Sequence, residues 1–136
     1  MPRRTRSRVR GIALIEVLVA MLIFMLGVLG LIGLQSSMTR AQTESKVRAD
    51  AAYLASELTG RMWVDLNNLA GYNGSGCASQ ARCQEWRAKV ASSLPSGVGA
   101  VAYDTATGNV TITVTWTMPN GDSHHYVTNT TVAKPT

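Results

Sequence analysis

Residues Ile12 to Leu34 form 23 consecutive positions with one charged side chain, Glu16, and the next charge after it is Arg40. As a helix this run is about 34 Å long at 1.5 Å per residue, enough to cross a hydrocarbon core of roughly 30 Å. It is apolar on every face, so a small soluble domain could not bury it. The sequence before it holds Arg3, Arg4, Arg6, Arg8 and Arg10. That charge asymmetry predicts an inner-membrane span with a cytoplasmic N-terminus and everything beyond about Gln35 on the outer, periplasmic side.

Three other fates of such a segment fit less well. A cleavable secretory signal has a core of about 7–15 apolar residues and a small-x-small site; this run is longer, and Leu34-Gln-Ser-Ser-Met offers none. A lipoprotein signal needs a cysteine at the end of the run, and the first cysteine is Cys77. Arg3-Arg4 as a twin-arginine signal lacks the rest of the motif.

The arginine tail also settles the meaning of the net charge. The chain carries +5 in all, yet outside the five tail arginines its basic and acidic residues balance at eight each. No basic stripe is left to neutralise a phosphate backbone, so no nucleic-acid partner is expected. A content of 46% hydrophobic and 15% charged residues excludes a charge-rich disordered chain.

Glu16 lies four residues into the apolar run, where a carboxylate is costly to insert. One reading has it snorkel to the cytoplasmic headgroups. The other gives it a cationic partner, and a cut after Gly11 would create one: a free α-ammonium on Ile12.

Gly11-Ile-Ala-Leu-Ile-Glu-Val-Leu18 after a short arginine-rich leader resembles the N-terminal signal of type IV prepilins and type II secretion pseudopilins. That pattern has glycine before the cut and glutamate at the fifth mature position, which here is Glu16. Ile12 stands where most members have phenylalanine. Leu14–Ile23 with Gly27-Val-Leu-Gly-Leu-Ile-Gly-Leu-Gln35 is similar to the PilV group of minor pilins in particular. The resemblance implies that prepilin peptidase removes a leader of residues 1–11, cutting between Gly11 and Ile12 and N-methylating Ile12. It implies that Glu16 of an incoming subunit pairs with the N-terminal ammonium of a neighbour. It further implies partners in the other major and minor pilins, met through the N-terminal helix, and in an inner-membrane assembly platform. Gly27, Gly30 and Gly33 each weaken the helix by up to about 1 kcal/mol, and the resemblance implies local melting there in a filament.

Beyond the span, apolar residues from Val47 to Leu69 recur every three or four positions, which predicts an amphipathic helix over 35–70. One helix from Ile12 to Leu66 would be about 80 Å long. Within 71–136 a short helix is expected over 80–94, with Trp86 and Val90 inward, and strands over 98–104, 109–118 and 123–132. The middle strand alternates most cleanly, with Val110, Ile112, Val114, Trp116 and Met118 on one face and four threonines on the other. The expected fold class is therefore α+β, a long helix packed on a small antiparallel sheet, which is also the pilin architecture.

Cys77 and Cys83, the only cysteines, would most simply form a disulfide in an exported domain. Zinc would need further ligands, and His124 and His125, as strand neighbours, point to opposite faces. No metal and no cofactor is expected. The Asn109-Val-Thr111 and Asn129-Thr-Thr131 sequons read as by-products of threonine-rich strands. Catalytic motifs are lacking, so an enzyme is not expected. The expected function is that of a minor pilin of a type IV pilus, with two alternatives: a minor pseudopilin of a type II secretion system, and a plain membrane-anchored periplasmic binding protein.

Overall fold

The computed structural model describes the backbone of residues 9–74, 77 and 80–133, and side chains from residue 12 onward. The chain separates into two compact units, one ending at Thr43 and the other beginning at Glu44. Helix α1, Val9–Val64, contributes to both. Its sequence has no proline and is rich in Leu, Ala and Met, which lose little side-chain freedom in a helix. The Thr39 and Thr43 hydroxyls donate back to the carbonyls of Gln35 and Thr39, both at 3.0 Å, so these polar groups are satisfied within the helix.

In the second unit, Ala51, Leu54, Ala55, Leu58 and Met62 form the buried stripe of α1. The helix expected over 35–70 ends at Val64, although Leu66 and Leu69 continue its apolar spacing. The reason lies in Asp65. Its carboxylate accepts from Asn68 Nδ2 at 2.6 Å, Tyr72 Oη at 3.0 Å and Gln80 Nε2 at 2.7 Å, so three donors from the following chain converge on it. The turn they hold leads into a 3₁₀ helix, Leu69–Tyr72, which buries Leu69 and Tyr72 without extending α1. The Asn68 amide, then the Tyr72 hydroxyl and the charge of Arg82, hold the Asp65 carboxyl below its ordinary range. Burial, and then the bond to Asp65, push the Tyr72 phenol up to about 12.

Helix α2, Ala81–Ser93, buries Cys83, Trp86 and Val90 along one face. It is fastened to α1 by charge as well as by packing. The Glu57 carboxylate accepts from Lys89 Nζ at 2.7 Å and from Arg61 Nη2 at 2.8 Å, and Arg61 Nη1 reaches Glu85 at 3.4 Å. The Lys89 ammonium first, with Arg61 beside it, holds the Glu57 carboxyl below its usual value against an opposing effect of burial.

Strands β1 (Val98–Tyr103), β2 (Asn109–Thr117) and β3 (Ser123–Thr131) form one antiparallel sheet in the order β1-β2-β3. Val101 pairs with Ile112 and Ile112 with Thr128, which puts all three on the inner face. Val110, Ile112, Val114 and Trp116 are buried there with the α1 and α2 stripes in a single core. Gly99 sits against the Trp86 ring: an added Cβ would lie 2.5 Å from Cζ3. In the β1–β2 turn Gly108 adopts φ +73°, which favours glycine. There the Asp104 carboxylate accepts from the Thr107 hydroxyl at 2.6 Å and the Ala106 N–H at 2.9 Å, in that order holding it below its usual range. The fold is thus α+β: a long N-terminal helix whose second half, through Ala51–Met62, packs with a three-stranded antiparallel sheet in one core.

Candidate functional site

The chemistry anticipated from the sequence is confined to the first two turns after Gly11, so the site is built on α1. Leader residues 1–8 lie outside the described residues, whereas Val9 to Gly11 already belong to α1. Ile12 and Glu16 stand one turn apart on the same face of the helix, both exposed, with Ile12 at 69%. No acidic residue occupies the first turn of α1, which leaves Glu16 as the carboxylate closest to its start.

The surroundings of Glu16 are apolar. Leu14, Ile15, Val17 and Leu18 are all more than half exposed, and so are most of the large side chains from Met21 to Leu34. The helix is long and apolar enough to cross a membrane, with a mean hydropathy of 2.9 over its most apolar window and none of that window buried. Removing such a surface from water is worth about 25 cal/mol per Å². A lipid bilayer or apolar helices of other chains can provide that burial.

Gly27, Gly30 and Gly33 lie inside α1, which continues through all three, and an added Cβ at any of them meets no atom within 4 Å. Packing within this chain therefore does not require glycine at these positions. What the glycines do is lower helix propensity in the stretch they share.

Cys77 and Cys83 are joined by a disulfide, with Cα atoms 5.4 Å apart, and both are buried. The bridge ties the loop after the 3₁₀ helix to the first turn of α2, where Cys83 packs with Trp86 and Val90. His124 is half-buried and stacks on Trp116, ring centres 5.8 Å apart, while His125 is exposed on the other face. Among the described residues no three His, Cys, Asp or Glu side chains gather as a metal site.

Sequence reading did not single out Asp65, Glu57 or Lys89. The Glu57–Arg61 spacing of four was a readable signal for half of the clamp. Lys89 and Gln80 join from α2 or its entrance, and nothing local announces them.

Residues 6–32 match the prokaryotic N-terminal methylation motif, a stretch that contains Gly11, Ile12 and Glu16 and most of the apolar run. No curated protein and no solved structure matches the chain significantly. The chain thus carries a prokaryotic N-terminal methylation motif at the head of an exposed apolar helix.

Proposed function

We propose that the chain is a minor pilin of the PilV kind, an inner-membrane precursor that prepilin peptidase converts into a subunit contributing to assembly or modification of a type IV pilus. The observation that carries this reading is the methylation motif over residues 6–32 with Glu16 as the only charge in the apolar run Ile12 to Leu34. Cleavage falls between Gly11 and Ile12, where glycine lets the backbone approach a protease closely. The new ammonium on Ile12 is methylated, and Glu16 pairs with the terminus of a neighbour within the bundle of subunit helices. Away from water such a pair is far stronger than one at a surface. The helix stays in the membrane until the subunit is drawn into the fibre. The second unit, with balanced charge and no metal cluster among its described residues, serves as the outward-facing body.

Mass spectrometry of the N-terminal peptide from native membranes tests the processing step. N-methylated Ile12 is the expected terminus, present only in cells with prepilin peptidase. A terminus at Met1 or beyond Leu34 overturns it. Deletion of the gene then separates the two machines: lost piliation or twitching supports the pilus, and lost exoprotein secretion assigns the chain to a pseudopilus instead.

A further inference from the structure

The Asn109-Val-Thr111 and Asn129-Thr-Thr131 sequons meet in the folded chain. Asn109 pairs with Thr131 and Thr111 with Asn129 across β2 and β3, with all four side chains on the outer face of the sheet. Each asparagine is held by the other sequon's threonine: Thr111 Oγ1 donates to Asn129 Oδ1 at 2.8 Å, and Thr131 Oγ1 to Asn109 Oδ1 at 3.0 Å. Asn-x-Thr is an acceptor sequence for N-linked saccharides, in which a transferase reads the amide and the hydroxyl two residues on. The two copies share a face and a set of side-chain bonds, so what separates them is the backbone.

In an antiparallel ladder, alternate residues turn both N–H and C=O toward one neighbouring strand and the others turn both away. The Asp104 N–H donates to the Asn109 carbonyl at 2.9 Å, so Asn109 and Thr111 turn their backbone groups toward β1, opposite Asp104 and Ala102. The β2 sequon is therefore committed, and β1 screens it on that side. β1 is itself closed along its outer edge: the Gly99 carbonyl accepts from Arg87 Nε at 3.1 Å, Val101 is bridged by Gly74, and the Tyr103 N–H donates to Asn73 Oδ1 at 3.2 Å. On β3 the bonds from Met118 N–H to the Asp122 carbonyl and from Val132 N–H to the Gly108 carbonyl, both 2.8 Å, set the reverse arrangement. Asn129 and Thr131 turn their backbone groups away from β2. Both residues are exposed, and among the described residues these backbone groups have no partner. The side-chain amides differ in the same sense. The Thr111 hydroxyl holds Asn129 Oδ1 on the β2 side, which turns Nδ2 toward the open edge, whereas the Thr131 hydroxyl holds Asn109 Oδ1 on the β3 side and turns its Nδ2 back toward β1.

We propose that Asn129 is an acceptor for N-linked saccharide in the folded chain and that Asn109, in the same sequence pattern on the same face, is not. A transferase can take Asn129-Thr-Thr131 as an extended segment, because the backbone groups of both reading positions and the amide nitrogen are presented on one open side. The Asn129 Nδ2 attacks the anomeric carbon of a saccharide carried on a polyprenyl diphosphate. The N–C bond forms as the bond from that carbon to the diphosphate oxygen breaks; the diphosphate leaves with the electron pair, and the Nδ2 proton passes to a base of the transferase. Nothing is oxidised or reduced. To reach Asn109 the same enzyme would first have to part β2 from β1. The setting of this reaction in the cell rests on the outward placement of the second unit in the function proposed above, whereas the chemistry of the acceptor does not.

Transfer to the purified full chain in detergent micelles tests this without reference to processing or filaments. The enzyme is a single-subunit oligosaccharyltransferase that accepts Asn-x-Thr with no acidic residue before it, since Val127 stands two positions ahead of Asn129. Its donor is a polyprenyl-diphosphate-linked oligosaccharide. Intact mass and peptide mapping are expected to show one saccharide per chain, on Asn129, added at least roughly tenfold faster than any on Asn109, because β2 has to open first. Asn129→Gln abolishes the addition and Asn109→Gln leaves it. Thr131→Val, which keeps the shape but removes the hydroxyl of the β3 sequon, abolishes it as well. Short peptides copying Gly108–Thr113 and Thr128–Ala133 serve as unfolded references and accept at similar rates, which places the difference in the fold. Two results overturn the proposal: no transfer to the folded chain under conditions that modify the Thr128–Ala133 peptide, or transfer to Asn109 as fast as to Asn129.

Discussion

The indole N–H of Trp86 donates to the backbone carbonyl of Leu54 over 2.7 Å, and both residues are sealed from water. α2 is thereby registered against α1 by a hydrogen bond to a carbonyl that already belongs to the helix ladder. Trp86→Phe keeps much of the ring but loses the donor and leaves part of the site empty. The expected loss is about 1–3 kcal/mol of unfolding free energy, read from urea denaturation of the detergent-solubilised chain. An unchanged midpoint would mean that the bond adds nothing to the packing.

Gly99 is the other side of the same arrangement. A methyl group there would sit 2.5 Å from Trp86 Cζ3 and 2.6 Å from Cη2, well inside contact distance. Gly99→Ala should therefore destabilise by about 1–3 kcal/mol through overpacking. In a Trp86→Phe background the six-membered indole ring is gone and most of that cost should vanish. A double-mutant cycle showing additive effects would contradict the proposed clash.

These two residues also mark the limit of what the sequence discloses. The alternation Val110, Ile112, Val114, Trp116 reports β2 directly, because burial of one sheet face acts on every second residue. The Ala51-to-Met62 stripe reports the packed half of α1 in the same way, at helical spacing. The end of α1 is different. Leu66 and Leu69 keep the apolar period, and the helix stops because Asn68, Tyr72 and Gln80 converge on Asp65, a contact made only once the chain has turned. The Gly99–Trp86 contact and the closure of the β1 edge by Asn73, Gly74 and Arg87 are equally non-local. At the N-terminus the opposite holds. Gly11, Ile12 and Glu16 lie within a motif defined by residue order along the chain, so their pattern is visible before any folding.

Stability should depend on acid in a defined direction. The Glu57 and Asp65 carboxyls lie below their ordinary values of 4.5 and 3.8. A depressed carboxyl contributes stability that is complete above the unfolded-state value and is lost as pH falls through the folded one. Unfolding free energy is thus expected to be flat above about pH 6 and to decline below about pH 4.5. Glu57→Gln should flatten part of that decline while lowering stability at neutral pH. Tyr72 has the opposite sign. With its phenol raised from 10.0 to about 12, its contribution is complete below pH 10 and is lost as pH rises toward 12. Tyr72→Phe removes that alkaline loss, and urea midpoints collected across the range check both arms.

The disulfide closes a short loop, Cys77 to Cys83, so its stabilising effect is small on an entropic account. Cys77→Ser with Cys83→Ser should cost about 2 kcal/mol, with an added loss because a hydroxyl replaces the buried Cys83 disulfide sulfur beside Trp86 and Val90. Cys83→Ala paired with Cys77→Ser should recover that added part. Thermal midpoints of the two double variants, compared with the oxidised parent, separate the bridge from the packing.

Glu16 gives the sharpest functional expectation, because its two readings predict different failures. If it only reaches to the headgroups, replacing it removes a charge that disfavours insertion by up to about 3 kcal/mol near mid-membrane, less near the end, and nothing downstream suffers. If it pairs with the ammonium of a neighbouring Ile12, the variant is cut and anchored normally, since Gly11 and Ile12 are untouched, but its docking into a fibre loses the charge-assisted contact. Glu16→Ala is expected to yield normal amounts of mature-length chain in membranes and roughly tenfold less in sheared filaments, the factor that about 1.4 kcal/mol produces. Glu16→Gln, which keeps the shape and one hydrogen-bond acceptor but not the charge, should fall between Glu16→Ala and the parent. Equal filament amounts of parent and both variants would leave Glu16 as a headgroup contact and remove the pairing from the mechanism.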